Sequence, residues 1–450
     1  MSKENLYKNL IIVLIILGAF LRLTVFWVSP VNNSYDDHLE VIKIYIDDSN
    51  RPTPSRCWEC YQPPLYYYIG AAVFNISESI GFSKLTCWKT VQFINPFLSI
   101  ILIIIIYQIL ILLKLTRLSI LIILSFIITL PRDILTSSMI GNDYMLVFFS
   151  ITSFYLFLKS VFALKNGHKF WPWLTLLVIT ATLGSITKQH GLLILIFPLS
   201  IFFLICSRMH RQKLYFVIPI LLIGTLLSIS DEIWTFSKSG TFFVSNQKYF
   251  DYTKNQFPGS LDKIEFLSFR IINLFKEPFI SDKTAASFLT ELFARTFYDY
   301  EWRFISPKIP WANTLGIIGY SLGLLWLFYF GIIVFSSLKR LPKIPVEMDY
   351  YSFISKVIPI VLALLFMLVP LMQTIRYPYF SSMKSMFMLP GIILLLLIIG
   401  SQIKQGSLSQ KLGKFMIGLN LFYGILLVVS IFIYLGISKY YLSGPLWNLP

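Results

Sequence analysis

A small group of ionisable side chains lies beside long apolar runs, where such groups are costly and therefore often functional. The group consists of Asp36, Asp37, His38, Asp143, Lys188, His190, Arg376 and Lys384. A carboxylate within hydrogen-bonding reach can accept a proton from a hydroxyl group, and a lysine or arginine can bind a phosphate. If these residues converge, they would suit a reaction centre that takes an anionic substrate.

The same residues also have purely structural explanations. An acidic residue after a helix can be a solvated loop charge or can cap the next helix, which applies to the pair at 36–37 and to Asp143. Lys188 and Arg22 could extend their charged ends to the membrane surface, and His190 could be structural. The functional interpretation therefore rests on the joint occurrence of these groups.

The composition indicates which elements must position these residues. Only 13% of the 450 residues are charged and 56% are hydrophobic, whereas a soluble domain carries about 25% charged residues. Apolar runs of about 20 residues recur, which is the length of a helix that crosses a bilayer. We therefore predict an all-α polytopic membrane protein that forms a single domain over residues 1–450. The formal net charge of +16 needs no nucleic-acid partner, because cytoplasmic loops collect lysine and arginine.

The apolar runs predict about eleven transmembrane helices. They cover residues 9–28, 90–113, 118–133, 144–164, 171–187, 190–207, 214–230, 312–336, 354–373, 386–402 and 415–437. Every second joint between them is basic, which places the N-terminus inside and the C-terminus outside. The basic joints contain Lys3, Lys8, Lys114, Arg117, Lys165, Lys169, Arg208, Arg211, Lys213, Lys339, Arg340, Lys343, Lys404, Lys411 and Lys414. The first run is too long for a signal-peptide core of about 7–15 residues, so we expect it to remain as a helix.

This topology places two large and three short segments outside. The large segments are the first external loop, residues 29–89, and the loop 231–311; the short ones are "PRDILTSSMIGNDY", "TKQHG" and "QTIRYPYFSSMK". We predict that "PLYYYIGAAVFNISESIGF" forms an interfacial helix, because a twelfth span there would break the charge alternation.

Familiar nucleotide and zinc motifs are absent from the sequence. It contains no G-x-x-x-x-G-K-[ST], no G-x-G-x-x-G and no H-E-x-x-H, and its four histidines are not closely spaced. In an extracytoplasmic loop, Cys57 and Cys60 could form a disulfide or remain unpaired, and the sequence leaves both outcomes open.

Four of the outer segments, in order along residues 20–390, together resemble one family. These segments are "YDDHLEVIKIYID…RPTPSRCWECYQPPLYYYIG", "PRDILTSSMIGNDYMLVFF", "LGSITKQHGLLIL" and "YPYFSSMKSMFMLPG". They resemble external loops of polyprenyl-phosphate-sugar-dependent glycosyltransferases of the GT-C superfamily, nearest to the protein O-mannosyltransferase-like and aminoarabinose-transferase-like branch. The chain departs from that pattern in its Asp-Asp pair, where many relatives have Asp-Glu, and in its "MKSMFMLP", where relatives more often carry an Arg-Tyr pair.

The resemblance implies a GT-C-type membrane domain that transfers a sugar from an undecaprenyl- or dolichyl-phosphate donor. The acceptor would be a hydroxyl group of a glycan, lipid or protein, and loop 231–311 would cover the acceptor side. Catalytic roles would fall to Asp36 as general base, to Asp37 and to Asp143, and Asp36 and Asp143 could share a divalent cation, Mg²⁺ or Mn²⁺. Substrate contacts would come from His38, Gln62, Tyr66, Lys188, His190, Arg376 and Lys384, with Lys188 the leading phosphate ligand.

Two other functions compete with this interpretation. A transporter or flippase for a lipid-linked glycan would carry polar groups and broken helices at mid-membrane depth, whereas here the polar groups cluster at one rim. A non-catalytic lipid-binding subunit would share the fold without the activity. We expect the plasma membrane of a prokaryote, or the endoplasmic reticulum membrane of a eukaryote, with the active site on the extracytoplasmic side.

Overall fold

The protein is a bundle of α-helices in this computed structural model, which describes residues 3–207, 211–250, 263–285, 287–338, 350–377, 379, 382–400, 402–403 and 408–436. The helices of its first half are α1 (Lys3–Val28), α2 (His38–Asp48), α3 (Leu65–Ser79), α4 (Lys84–Gln92), α5 (Ile94–Leu112), α6 (Arg117–Thr129), α7 (Pro131–Ser137), α8 (Asn142–Lys165), α9 (Trp171–Ser185), α10 (Ile196–Ser207) and α11 (Arg211–Ser228). Those of the second half are α12 (Ser230–Ser239), α13 (Lys263–Leu267), α14 (Ile271–Lys276), α15 (Phe288–Phe297), α16 (Ala312–Leu338), α17 (Tyr350–Arg376), α18 (Leu389–Gly400) and α19 (Leu408–Ile431).

The apolar helices lie where the eleven spans were predicted, but fewer than eleven of the described helices are long enough to cross a membrane. Within the described residues, eight helical segments are long and apolar enough to cross a membrane. A ninth crossing comes from α6 and α7 if that bent pair is a single span, and two shorter apolar helices, Trp171–Ser185 and Ser385–Gly400, complete the predicted set. The all-α polytopic prediction is therefore confirmed. The inside–outside orientation remains a prediction, and Arg208, Lys339, Arg340, Lys343 and Lys404, on which it partly relies, lie outside the described residues.

The predicted span 118–133 is the one that differs most in shape. The helix ends at Thr129, and a second helix begins at Pro131 after a bend of 53°. Because a residue before proline avoids the helical conformation, Leu130 is extended and separates the two. The segment predicted as the loop "PRDILTSSMIGNDY" therefore starts with a buried helix, α7.

Arg22 is an internal residue, so the expectation that it extends to the membrane surface was wrong. Its side chain is fully buried and forms an ion pair with Asp133. It also donates hydrogen bonds to the Ser99 hydroxyl and to the carbonyl of Ile128. A buried guanidinium needs this set of partners to offset its lost hydration. The contacts of Arg22 join α1, α5, α6 and α7.

The first external loop is built from short helices whose ends are set by nearby capping residues. Asp37 caps α2 by accepting a hydrogen bond from the Glu40 backbone N–H, and Ser49 ends α2 in the left-handed conformation. The predicted interfacial helix exists as α3, which begins directly after Pro64. Between α2 and α3, Cys57 and Cys60 form a disulfide that closes a tight turn.

Candidate active site

A polar cavity of about 370 Å³ lies where α1 ends and α8 begins. Its wall is formed by residues of the first external loop, by Lys188 after α9, and by Asn246, Gln247, Arg295, Glu301, Arg303, Gln373, Ser382, Lys384 and Phe387. Small-molecule sites commonly enclose about 300–1,000 Å³. Of the residues that the sequence singled out, Asp36, Gln62, Lys188 and Lys384 line this cavity.

Asp36 and Lys384 form an ion pair in the cavity wall, although they are 348 residues apart. The Lys384 ammonium donates to both carboxylate oxygens, at 2.8 Å to Oδ1 and 2.6 Å to Oδ2. Burial raises the pKa of Asp36, but the charge and hydrogen bonds of Lys384 outweigh that effect and bring the pKa to about 2. Asp36 is therefore ionised at neutral pH and is held there as a weak base.

Asp37 does not reach the cavity, in contrast to its prediction as a catalytic residue. Its side chain is exposed and occupied as the N-cap of α2. Helix-capping by an acidic residue is common, so the purely structural explanation fits this member of the pair. The two adjacent aspartates thus differ because one points into the cavity and the other caps a helix.

His38 is buried behind the cavity and is neutral at physiological pH. Burial lowers the pKa of His38 to about 4, and the nearby carboxylates of Asp36 and Asp143 only partly oppose that shift. Its Nδ1 lies 2.9 Å from the hydroxyl of Tyr67 on α3. A neutral imidazole in this place can position neighbouring groups through hydrogen bonds.

Lys188 and Asp143 form the second carboxylate–lysine pair of the site. The Lys188 ammonium lies 2.5 Å from Asp143 Oδ1 and 3.2 Å from Asn142 Oδ1. Only 6% of Lys188 is exposed, so the alternative of a side chain extended to the surface was wrong. Gln62 joins this group, since its Oε1 accepts from Asn142 at 3.4 Å.

Glu59, which the sequence analysis did not consider, also lines the cavity. It lies inside the disulfide-closed turn and is only 3% exposed, and its Oε2 accepts a hydrogen bond of 3.1 Å from Gln62 Nε2. Burial and the charge of Asp36 raise the pKa of Glu59 to about 8, against the opposing charges of Lys384 and Lys188. The only sequence signal was an acidic residue between two cysteines.

A second group of charges that the sequence missed lies on α15 and in the segment after it. Arg295 pairs with Glu291 at 2.9 Å and with Glu301 at 2.7 Å, and its side chain is fully buried. Arg303 stands apart, because its guanidinium has no carboxylate partner among the described residues and lies 5.4 Å from the ring of Tyr35. The spacing of Glu291 and Arg295 by four residues was a readable sign of a helical ion pair.

Three predicted substrate contacts lie outside the cavity wall. Arg376 ends α17 with an exposed side chain over the Tyr377 ring, at 5.1 Å. His190 packs edge-on against Phe366 and Phe387. Tyr66 is fully buried and accepts a hydrogen bond of 3.0 Å from the backbone N–H of Gly141, so it supports the turn before Asp143.

The residues do not fit the divalent cation that Asp36 and Asp143 could have shared. Each of these carboxylates faces its own lysine. Across the described part of the chain, no three histidine, cysteine or acidic side chains gather in a way that could hold a metal ion. No metal-dependent step is therefore derived for this site.

The polar cavity shares two lining residues with a second one. Glu301 and Arg303 line both it and a cavity of about 620 Å³ that reaches Pro30, Tyr434 and Leu435. A few residues along the same elements, α1 and α19 form an apolar groove of about 620 Å³ with Trp27 and Phe432 in its walls. Another apolar groove, of about 490 Å³ between α15 and α18, shares no lining residue with the polar cavity.

A family model described as dolichyl-phosphate-mannose-protein mannosyltransferase matches residues 67–215. The matched family is one of glycosyltransferases, and the match confirms over this segment the resemblance seen in the sequence. Asp143 and Lys188 lie within it, whereas Asp36, Glu59 and Lys384 lie outside. No curated protein matches the chain.

Several solved structures match the chain at low sequence identity and with TM-scores below 0.5. The oligosaccharyltransferase of Archaeoglobus fulgidus in its apo form is 12% identical, with a TM-score of 0.46, over 98% of this chain and 57% of that one. The same protein in complex with zinc and sulfate is 13% identical, with a TM-score of 0.48, over 96% of this chain and 53% of that one. ArnT of Cupriavidus metallidurans bound to undecaprenyl phosphate is 11% identical, with a TM-score of 0.38, over 89% of this chain and 78% of that one. The chain thus spans little more than half of the archaeal enzyme.

Proposed function

We propose that this protein is a membrane glycosyltransferase that moves a sugar from a polyprenyl-phosphate donor, undecaprenyl or dolichyl, to a hydroxyl group. The acceptor is a glycan, lipid or protein on the extracytoplasmic side of a plasma membrane. The observation that carries the proposal is the cavity in which Asp36 meets Lys384, because it combines a carboxylate base with cations at one end of the bundle. A polar cavity and an apolar groove on the same protein would together suit a substrate with a polar head and a hydrocarbon tail.

Asp36 is the general base in this proposal. As the acceptor oxygen attacks the sugar, its proton passes to the Asp36 carboxylate, and the bond between sugar and phosphate breaks. Asp143 and His38, which sit behind the cavity, position the sugar or the acceptor. Asp37 contributes indirectly by capping the helix that begins with His38.

Lys384 links donor binding to the strength of the base. A base works best when its pKa is near the working pH, and the ion pair keeps the pKa of Asp36 far below that range. A donor phosphate that shares the Lys384 ammonium weakens this pair, so the pKa of Asp36 rises when the donor is bound. The same ammonium then stabilises the charge that develops on the departing phosphate.

Arg303 takes the leading role in phosphate binding that the sequence gave to Lys188. Lys188 is already neutralised by Asp143, whereas Arg303 has no carboxylate partner in the described part of the chain. Arg303 also borders both cavities, which is where a phosphate between a sugar and a lipid tail would lie. A guanidinium suits this place because it binds phosphate through two parallel hydrogen bonds.

The groove between α1 and α19 receives the polyprenyl tail. Its lining is almost entirely apolar, and its walls end within a few residues of the second cavity. The groove between α15 and α18 is the alternative site for the tail, because neither groove shares a lining residue with the polar cavity. The distinction can be tested by filling each groove with a tryptophan.

Binding of radiolabelled dolichyl phosphate and undecaprenyl phosphate to the protein in nanodiscs tests this proposal, together with mass spectrometry of co-purified lipid. Arg303→Ala should weaken binding of the preferred lipid at least ten-fold, whereas Arg376→Ala should change it little. Val429→Trp, in the α1–α19 groove, should also weaken binding, while Leu327→Trp in the other groove should not. Absence of binding to both lipids by the wild-type protein would refute the proposal.

A further inference from the structure

We propose that the turn Trp58–Gln62 recognises the sugar of the donor, with Glu59 as the side chain that donates a hydrogen bond to a sugar hydroxyl group. This inference rests on the proposed function, and it adds a residue that determines sugar specificity. It concerns the disulfide-closed turn between α2 and α3, which the transfer reaction itself does not use.

The turn presents a suitable surface to the cavity. Trp58, Glu59, Tyr61 and Gln62 all line the cavity wall. Aromatic rings offer flat apolar faces to the C–H groups of a sugar, and the polar side chains between them can bind its hydroxyl groups. The Cys57–Cys60 disulfide and a backbone hydrogen bond of 3.1 Å from Gln62 to the Glu59 carbonyl fix the turn.

Glu59 has one carboxyl oxygen held and one available. Gln62 Nε2 donates to Oε2 at 3.1 Å, while within the described residues no hydrogen bond reaches Oε1. Gln62 is in turn bonded to Asn142, which accepts a hydrogen bond from Lys188. A chain of hydrogen bonds therefore connects Glu59 with the Lys188–Asp143 pair. Because each member of this chain is held by the next, Glu59 has a fixed orientation.

The charges around Glu59 favour its neutral form. Asp36 faces it from the segment after α1, Lys188 from the segment after α9 and Lys384 from the segment before α18. Arg295 borders the same cavity from α15, and Glu301 and Arg303 border it from the segment after that helix. Burial and the Asp36 charge raise the pKa of Glu59 to about 8. A neutral carboxyl group can donate a hydrogen bond, which a carboxylate cannot.

A structural role alone does not account for a glutamate here. A buried acid next to Asp36 disfavours the folded state at neutral pH, because folding must take up a proton. Glutamine would accept the same hydrogen bond from Gln62 without that cost. The cost indicates a role beyond the contact with Gln62, because a neutral carboxyl group that accepts from Gln62 with one oxygen can donate to a ligand with the other.

The experiment compares lipids with and without a sugar. The probes are dolichyl-phosphate mannose and undecaprenyl-phosphate glucose, galactose or 4-amino-4-deoxyarabinose, each measured against its sugar-free lipid phosphate in nanodiscs between pH 6.5 and 9.5. The sugar preference is the ratio of the two affinities, taken for the sugar that binds best. The variants are Glu59→Gln, Glu59→Ala and, as a matched control, Glu78→Gln on the exposed side of α3.

The wild-type sugar preference should fall about ten-fold as the pH rises through 8, the loss expected for one good hydrogen bond. Glu59→Gln should keep the preference and remove its pH dependence, because an amide also donates. Glu59→Ala should lose the preference at every pH, and the control should behave like the wild type. All proteins should bind the sugar-free lipids equally.

Two outcomes overturn the inference while leaving the proposed function intact. The first is a Glu59→Ala variant that keeps its sugar preference. The second is a wild-type protein that binds sugar-free lipids as tightly as every loaded donor. If the wild-type protein bound none of the lipids, the proposed function itself would be contradicted.

Discussion

The adjacent residues Asp36 and Asp37 provide the sharpest test of the proposed chemistry. Asp36→Asn replaces the base with an amide of the same shape, whereas Asp37→Asn keeps a side chain that caps a helix as well as aspartate does. Removal of a general base lowers the transfer rate by about 10²–10⁴-fold, or roughly 3–5 kcal/mol in the barrier. We expect Asp36→Asn to lose that much activity and Asp37→Asn to stay within about two-fold of the wild type.

The stability change must be separated from the catalytic one. The lowering of the Asp36 pKa from 3.8 to about 2 corresponds to roughly 2–3 kcal/mol of net stabilisation of the charged carboxylate. Asp36→Asn loses this stabilisation. It also leaves the ammonium group of Lys384, whose side chain is 8% exposed, without its counter-charge. The double variant Asp36→Asn/Lys384→Gln restores a neutral hydrogen-bonded pair, so it should recover much of the stability and none of the activity.

The assay follows release of the free polyprenyl phosphate from the sugar-loaded donor by mass spectrometry, in membranes that contain the natural acceptors. Melting temperatures in detergent supply the stability measurement for each variant. The reasoning would be refuted if Asp36→Asn retained more than a tenth of the wild-type rate. It would equally be refuted if Asp37→Asn lost as much activity as Asp36→Asn.

Three further predictions concern the supporting structure. Asp133→Asn leaves the buried guanidinium of Arg22 uncompensated, so unfolding free energy should drop by roughly 3–5 kcal/mol; an unchanged detergent melting temperature would contradict this. Between pH 4.5 and 8 folding protonates Glu59, so stability should fall as the pH rises through this window. Glu59→Gln should flatten a melting-temperature series over that range, and an unaltered slope would argue against a buried neutral acid. Replacing Cys57 and Cys60 with serine should reduce the sugar preference while sparing binding of sugar-free lipid, and a full preference in this variant would show that the disulfide does not position the turn.

The membrane-spanning helices could be read from the sequence because their signal is local. An apolar run of about 20 residues has few alternatives to a transmembrane helix. The predicted span 118–133 ran through Pro131 and so missed the bend there, although proline disfavours a helical residue before it. The predicted topology places the segments between these helices alternately on the two sides of the membrane. Asp36, Lys188 and Lys384 fall on the same predicted side, which is why they were recognised as candidates.

The pairing within the site was not readable from the sequence. Asp36 meets Lys384, and Arg22 meets Asp133, across 348 and 111 residues, and nothing local selects one partner over another. For the same reason, the sequence could not separate Asp36 from Asp37, because the two differ only in which way each side chain points. Glu59 escaped notice because its burial depends on a turn that the rest of the bundle covers.

The charges of the cavity fit the change in charge that the proposed reaction produces. Lys384, Lys188 and Arg295 each have a carboxylate partner, and in the described part of the chain Arg303 alone among the lining cations has none. Arg303 has no ion-pair partner of its own among the residues that the structure describes and can therefore pair with a sugar–phosphate diester, which carries a single negative charge. The departing lipid phosphate gains a second negative charge, which Arg303 does not balance.

Lys384 is placed to supply the missing positive charge. When Asp36 takes the acceptor proton it becomes neutral, so its ion pair with Lys384 no longer holds the ammonium. The proton transfer therefore creates a free cation at the moment when the phosphate becomes a dianion. Interactions that strengthen only as the reaction proceeds lower the barrier without tightening ground-state binding. A base with a pKa of about 2 is therefore compatible with catalysis, since the lysine that weakens the base is the group that stabilises the leaving phosphate.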